Sequence, residues 1–370
     1  MRTGWPREST ARAREDAGTA QAPGGVAFDW IMVALCSWLI GGGLVDLWAH
    51  AHQQLIGKLE TFFTPWHAVM YSGWIAVTIF LVGALARNIA RGYSWDRALP
   101  SGYWLSLLGV LIFTWGGLGD MLWHTLLGIE IGVDAAYSPP HIVLGIGSLL
   151  AMSGPLRAAW HRGPGRSWGS EIPMVISLTY TWTIVGFFHL FAQPMINPWA
   201  AAARRPIVAE HGHVVGIASI LLHAGIMMGM IVLSILRRPL PFGGFTILFA
   251  LNGLMLAALS WPEDYRLIQL AGTTAAGFVA DLLFYCLRPS RERRGALRAF
   301  SFAVPAVFYL AYFVALQVTD GVWWSVHLQT GSIALAGATG WVISYIFVPA
   351  PDLEVEHRGR RGDRELAAMD

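Results

Sequence analysis

The chain has 370 residues, 55% of them hydrophobic and only 13% charged, with a mean hydropathy of +0.50. A soluble domain carries about 25% charged residues, so this chain lacks the charge to coat a soluble protein, and its net charge of +2 offers nothing to nucleic acid. Its two cysteines, Cys36 and Cys286, exclude a disulfide scaffold and a thiolate-rich zinc or iron–sulfur site.

Residues 1–26 are polar and rich in Pro, Gly and Ala, the composition of a disordered tail. No small-residue cleavage site follows the first apolar run, as it would in a secretory signal. Ten segments then reach the ~20 apolar residues that cross a bilayer. They are 27–50, 65–87, 101–127, 139–160, 170–195, 207–236, 242–261, 266–287, 298–318 and 322–348. The expected fold class is an all-α polytopic membrane protein, its ten helices paired as five outward-pointing hairpins within one transmembrane region, 27–348. The hairpins are repeat A (27–87), repeat B (101–160), 170–236, 242–287 and 298–348. The fourth turns at Trp261-Pro262-Glu263-Asp264-Tyr265, and residues 349–370 form a second polar tail.

Basic residues orient this bundle. Twenty-one of the 25 lie in the two tails and the alternate connections that share their side; only Lys58, Arg204, Arg205 and Arg266 lie on the other. The positive-inside rule then places both termini in the cytoplasm of a bacterial-type plasma membrane, with the sparsely charged side outward.

Self-comparison at an offset of 74 residues aligns the first two hairpins. Gly42-Gly43-Leu44-Val45-Asp46 with His50 lies over Gly116-Gly117-Leu118-Gly119-Asp120 with His124. Glu60 falls on Asp134, His67 on His141 and Gly73 on Gly147, with nine of the 32 positions from 42 to 73 identical. The pattern D-x3-H-x9-[E/D]-x6-H thus occurs twice. Asp and His four residues apart share one helix face, and a Pro before each second His suits a helix start. Each hairpin can gather Asp, His, an acidic loop residue and a second His near the outer interface. A carboxylate within a span costs roughly 2.5–3.5 kcal/mol on insertion scales, so such residues are site candidates.

A single Asp-x3-His in a bundle reads most simply as a structural hydrogen bond. Two in register, each with acidic and His partners, point to metal. The ligand set expected is Asp46, His50, His67, Asp120, His124 and His141, joined by His189 near the end of the fifth span and His213 at the start of the sixth. Glu60 and Asp134 are the expected bridging ligands or catalytic bases. His52 and Glu130 have no counterpart in the other repeat and read as rim residues, His223 as an interior histidine, and Asp281 as a pairing or capping carboxylate. The tryptophans fit interfacial belts. There is no P-loop, H-E-x-x-H or G-x-S-x-G.

Asp-x3-His at a span end, followed by a His at the next span's start, resembles the copper site in the membrane subunits of the methane and ammonia monooxygenases. The resemblance implies copper on Asp46, His50 and His67, and again on Asp120, His124 and His141. It covers the motif alone: the spacing to the last His is longer here, and a ten-span chain with an internal repeat does not match those subunits.

Imidazoles and carboxylates without thiolates suit Zn, Fe, Cu or Mn, in one dinuclear or two mononuclear sites. The expected function is a membrane metalloenzyme: a copper- or iron-dependent, oxygenase-like oxidoreductase acting on a hydrophobic small molecule at the outer interface. A zinc-dependent hydrolase is the alternative within enzymes, and a metal-ion or proton transporter or sensor the alternative outside them. The expected partners are the lipid bilayer, the hydrophobic substrate, and further copies of the chain or other membrane proteins.

Overall fold

The structure, a computed structural model, describes residues 21–22, 24–52, 61–130, 133–163, 167–259 and 266–350. The two tails, Lys58, Glu60, and the turn at Trp261–Tyr265 with Glu263 and Asp264 lie outside the described residues.

Twelve α-helices are described: α1 (Val26–Ala51), α2 (Pro65–Ala90), α3 (Trp104–Leu127), α4 (Val133–Tyr137), α5 (Pro139–Met152), α6 (Gly154–His161), α7 (Trp168–Phe187), α8 (Ala209–Arg237), α9 (Gly244–Leu259), α10 (Arg266–Leu287), α11 (Arg294–Val318) and α12 (Val326–Phe347). No strand occurs among the described residues; one isolated bridge joins Ala201 and Val322. Eight helices are long and apolar enough to cross a membrane, counting α5 and α6 as one run, Pro139–His161. An all-helical chain of this kind is compatible with a polytopic membrane protein, since helices satisfy their own backbone in lipid.

The other two expected spans are helices of a different character. α9 has 16 residues. α7 buries Ser177, Thr179, Thr181 and Thr183, a polar load that sets it apart from its neighbours. It also ends at Phe187 rather than near residue 195; Pro194, which lacks an N–H and disfavours helix just before it, keeps the helix from running through to 195. The α5–α6 junction has a similar cause. Pro155 interrupts the backbone ladder, and Arg157 donates to the carbonyls of Gly102 (2.8 Å) and Leu150 (2.8 Å), bracing the break.

The chain divides into two compact units: residues 1–191 with 251–266, and residues 192–250 with 267–370. In the first unit α1 packs on α2 and α3 on α5. Glycines set these approaches. A Cβ on Gly42 would lie 2.6 Å from the backbone of Met70, and one on Gly73 2.7 Å from that of Leu39. A Cβ on Gly116 would meet the backbone of Leu144 at 2.9 Å, and one on Gly147 that of Phe113 at 2.6 Å. Every residue in the second pair of contacts is its counterpart in the first plus 74. The two helix pairs therefore pack in the same register.

In the second unit Asp281, 2% exposed on α10, accepts from the Phe245 N–H (3.1 Å), the Thr246 N–H (2.8 Å) and the Thr246 hydroxyl (2.6 Å). It thereby caps the start of α9, supplying from another helix what an N-cap side chain supplies locally. Arg298 closes the far end of α12 by donating to the Ser344 and Val348 carbonyls while lying 3.6 Å over the Tyr345 ring.

Candidate metal centre

Local chemistry delivers each imidazole to one end of the first unit. Asp46 and His50 occupy the last turns of α1, Asp120 and His124 those of α3. Thr64 caps α2, its hydroxyl accepting from the His67 N–H at 3.1 Å, and Pro65 takes the first helical position. This fixes His67 in the first turn. Ser138 and Pro139 begin α5 without a side-chain cap, the Ser138 hydroxyl lying instead against the His141 ring, and His141 takes the equivalent place.

The six side chains come together. His67 Nε2 lies 3.4 Å and His50 Nε2 3.8 Å from Asp46 Oδ2. His124 Nε2 and His141 Nε2 each lie 3.2 Å from Asp120 Oδ1. The two halves meet: the His67 and His124 ring centres are 5.9 Å apart, and those of His50 and His124 6.3 Å. Donor atoms of Asp46, His50 and His67 all lie within 4.8 Å of one another, as do those of His67, Asp120 and His124, so His67 belongs to both groups.

Three of the four rings are held from behind. His67 Nδ1 faces the Phe62 carbonyl at 2.5 Å, His141 Nδ1 the Ser138 hydroxyl at 2.8 Å, and His124 Nδ1 the Gly128 carbonyl at 3.4 Å, with the Glu130 carboxylate 3.1 Å away as an ion-pair contact. A carbonyl acceptor at Nδ1 calls for the N–H there, which leaves the Nε2 lone pairs of His67 and His124 for the centre, the orientation of metal-binding histidines. The Tyr71 hydroxyl donates to Asp120 Oδ2 at 3.3 Å. Burial is deep: Asp120 is 0% and His67 3% exposed. Yet Asp46 Oδ1, His50 Nδ1, Asp120 Oδ1 and His124 Nε2 complete no hydrogen bond. Buried polar atoms are normally paired, and each exception calls for a cause.

The separations suggest that cause. Nitrogen and oxygen donors bound to one zinc-like ion at about 2.0–2.2 Å stand roughly 3–3.5 Å from each other. Three of the four Asp–His distances, 3.2–3.4 Å, match that spacing, and the fourth, His50 to Asp46, is wider at 3.8 Å.

An apolar cavity of about 160 Å³ within the first unit abuts the cluster, with Asp46, His50, Asp120 and His141 in its wall. Beside His67 and Tyr71 a second opening is lined by Phe62, Phe63 and Trp74.

Within the first unit, Asp134 and His189 are not among the residues of the cluster. Asp134 is exposed at the start of α4, and among the described residues no ion pair joins it to the imidazoles. The acid at the cluster is instead Glu130, whose side chain is 11% exposed. Sequence comparison set Glu130 aside because repeat A has Ile56 at that register; its position six residues past His124 was the available signal. Close by, Tyr137 donates to the Phe188 carbonyl at 2.5 Å, and partial burial holds its phenol above the ordinary value.

His189 is buried outside the cluster, with Nδ1 3.1 Å from the Val185 carbonyl, because α7 ends two residues before it. His213 belongs to the second unit, where its ring stacks on Trp323 at 4.5 Å. His52 lies against the Trp48 carbonyl at 2.8 Å, and His223 faces the Tyr309 hydroxyl at 2.8 Å. Comparison of the chain with known protein families, with characterised proteins and with solved structures finds no match.

Proposed function

We propose that the chain is a membrane-embedded metalloenzyme, a copper- or iron-dependent oxidoreductase of the oxygenase kind that acts on a hydrophobic small molecule. One observation carries this reading: two carboxylates and four imidazoles, contributed by four helix ends, face one another with Asp–His distances of 3.2–3.8 Å, while the buried Asp46 Oδ1, His50 Nδ1, Asp120 Oδ1 and His124 Nε2 complete no hydrogen bond. A purely structural Asp–His pair would close its hydrogen bond and leave nothing over. Asp46, His50, His67, Asp120, His124 and His141 are the proposed ligands, enough for two ions. Imidazole and carboxylate donors suit copper and iron, and an apolar cavity against the centre suits a lipophilic substrate. By the positive-inside rule the centre faces the outer side of a plasma membrane, with both termini cytoplasmic.

A zinc hydrolase is the second reading. Glu130 favours it, as a carboxylate beside a zinc-bound water serves as proton acceptor. Transport is less well supported, because transporters commonly place their sites near the bilayer midplane, whereas these donors sit in terminal helix turns.

Elemental analysis of purified protein, combined with its absorption spectrum, tests the proposal. The expected result is copper or iron bound to the wild-type chain and lost from the Asp46→Ala/Asp120→Ala variant, with oxygen uptake that depends on an added lipophilic compound. Equal metal content in the variant would end the metal reading. Zinc with turnover under strict anaerobiosis would make the enzyme a hydrolase, and metal-dependent flux in proteoliposomes would make it a transporter.

A further inference from the structure

The cavity beside the centre has a definite size and chemistry. Its volume is about 160 Å³, and its walls include Leu44, Leu47, Leu144, Ile184, Phe187 and Leu256. A cavity of about 150 Å³ lined by Leu, Ile and Phe in another protein stays dry and takes up benzene or xenon. Polar groups in the wall are few. The Thr183 hydroxyl is engaged, 3.1 Å from the Asn252 amide and 3.3 Å from Met255 Sδ, leaving Ser148 as the one other hydroxyl beside the cluster itself.

From these observations we infer that the cavity is a binding site for compact apolar molecules of benzene's size, monocyclic or short-chain, which it holds against Asp46, His50, Asp120 and His141. This deepens the proposed function by giving its substrate a size class, and rests on that reading for catalysis but not for binding. Gly43 offers the means to test it. It borders the cavity, and a Cβ there would meet only Met70 Sδ, at 3.8 Å. A Cβ at this position is therefore accommodated beside the cavity without striking backbone.

The experiment uses the full chain in lipid nanodiscs, with fluorobenzene followed by 19F NMR and benzene, naphthalene and hexadecane as competitors. Empty nanodiscs give the background of partition into lipid. Wild type binds fluorobenzene saturably; benzene displaces it, and naphthalene and hexadecane do not. Gly43→Leu lowers the affinity at least tenfold while keeping the wild-type unfolding temperature. Ile184→Ala, which enlarges the cavity, admits naphthalene. Uptake no greater than in empty nanodiscs, equal binding by wild type and Gly43→Leu, or stronger displacement by hexadecane would each overturn the inference. Repeating the titration on Asp46→Ala/Asp120→Ala separates the two proposals: retained binding in a metal-free variant keeps the cavity as a site in its own right, and metal without fluorobenzene binding removes this inference alone.

Discussion

Substituting Glu130 by Gln tests the centre where its two halves differ. The carboxylate lies 3.1 Å from His124 Nδ1, on a side chain only 11% exposed. A buried carboxylate is stable there if the ring presents N–H to it, which is the tautomer that turns Nε2 toward Asp120. Gln keeps the shape and a hydrogen-bond acceptor but removes the charge that makes the ring a stronger donor to an ion. Losing such an outer partner typically costs 10–100-fold in metal affinity, or about 1.4–2.7 kcal/mol. Repeat A has Ile56 at the matching register, so if the proposed centre binds metal, an ion held by Asp120, His124 and His141 should respond and one held by Asp46 and His50 should not. Competition between the purified chain and a chelator of known affinity, with Zn2+ or Co2+ as the probe, resolves the two halves. Glu130→Gln should weaken one class of bound ion by ten- to a hundredfold and leave the other alone, whereas Asp134→Asn, at an exposed position, should change neither. Unchanged affinity in Glu130→Gln, or a larger effect from Asp134→Asn, would refute the assignment of Glu130 as the carboxylate behind His124.

Two further outcomes concern the scaffold. Gly147→Val puts a side chain where a Cβ would lie 2.6 Å from the Phe113 nitrogen, so α3 and α5 must separate. The cost is about 1–3 kcal/mol or more, read as a lower unfolding temperature in detergent together with loss of metal. Gly83→Ala, with nothing within 4 Å of its Cβ, should stabilise the chain by about 0.5–1 kcal/mol, and destabilisation there would discredit the packing argument. Asp281→Ala strips the cap from α9 and should cost about 0.5–2 kcal/mol, with faster amide exchange at Phe245 and Thr246 and partial rescue by Asn; protection equal to wild type would show that the cap contributes nothing.

Much of the chain could be read before any coordinates. Apolar runs of span length need only a count, and eight of them are helices of that kind. The repeated Asp and His register was equally legible, because an i,i+4 pair shares a helix face whatever the helix packs against. Glu130, by contrast, was hidden by the very comparison that exposed the centre: it breaks the repeat, and repetition was the signal in use. His189 was singled out by its depth in the span, but depth is one coordinate of three, and the structure sets its ring against the Val185 carbonyl. Pro194 foretold that α7 would stop short of residue 195, a local rule that the apolar run around it obscured.

The sequence alone determined the helical, lipid-compatible character of the chain and singled out six side chains that the fold brings together, because hydropathy and helical periodicity are local properties. Only the tertiary structure decided that the two repeats face each other across His67, that Glu130 rather than Asp134 stands behind His124, and that a benzene-sized cavity opens against them. Those features depend on how closely helices distant in sequence approach, which is set by glycine contacts such as Gly147 on Phe113 and by the shape of what is left unfilled.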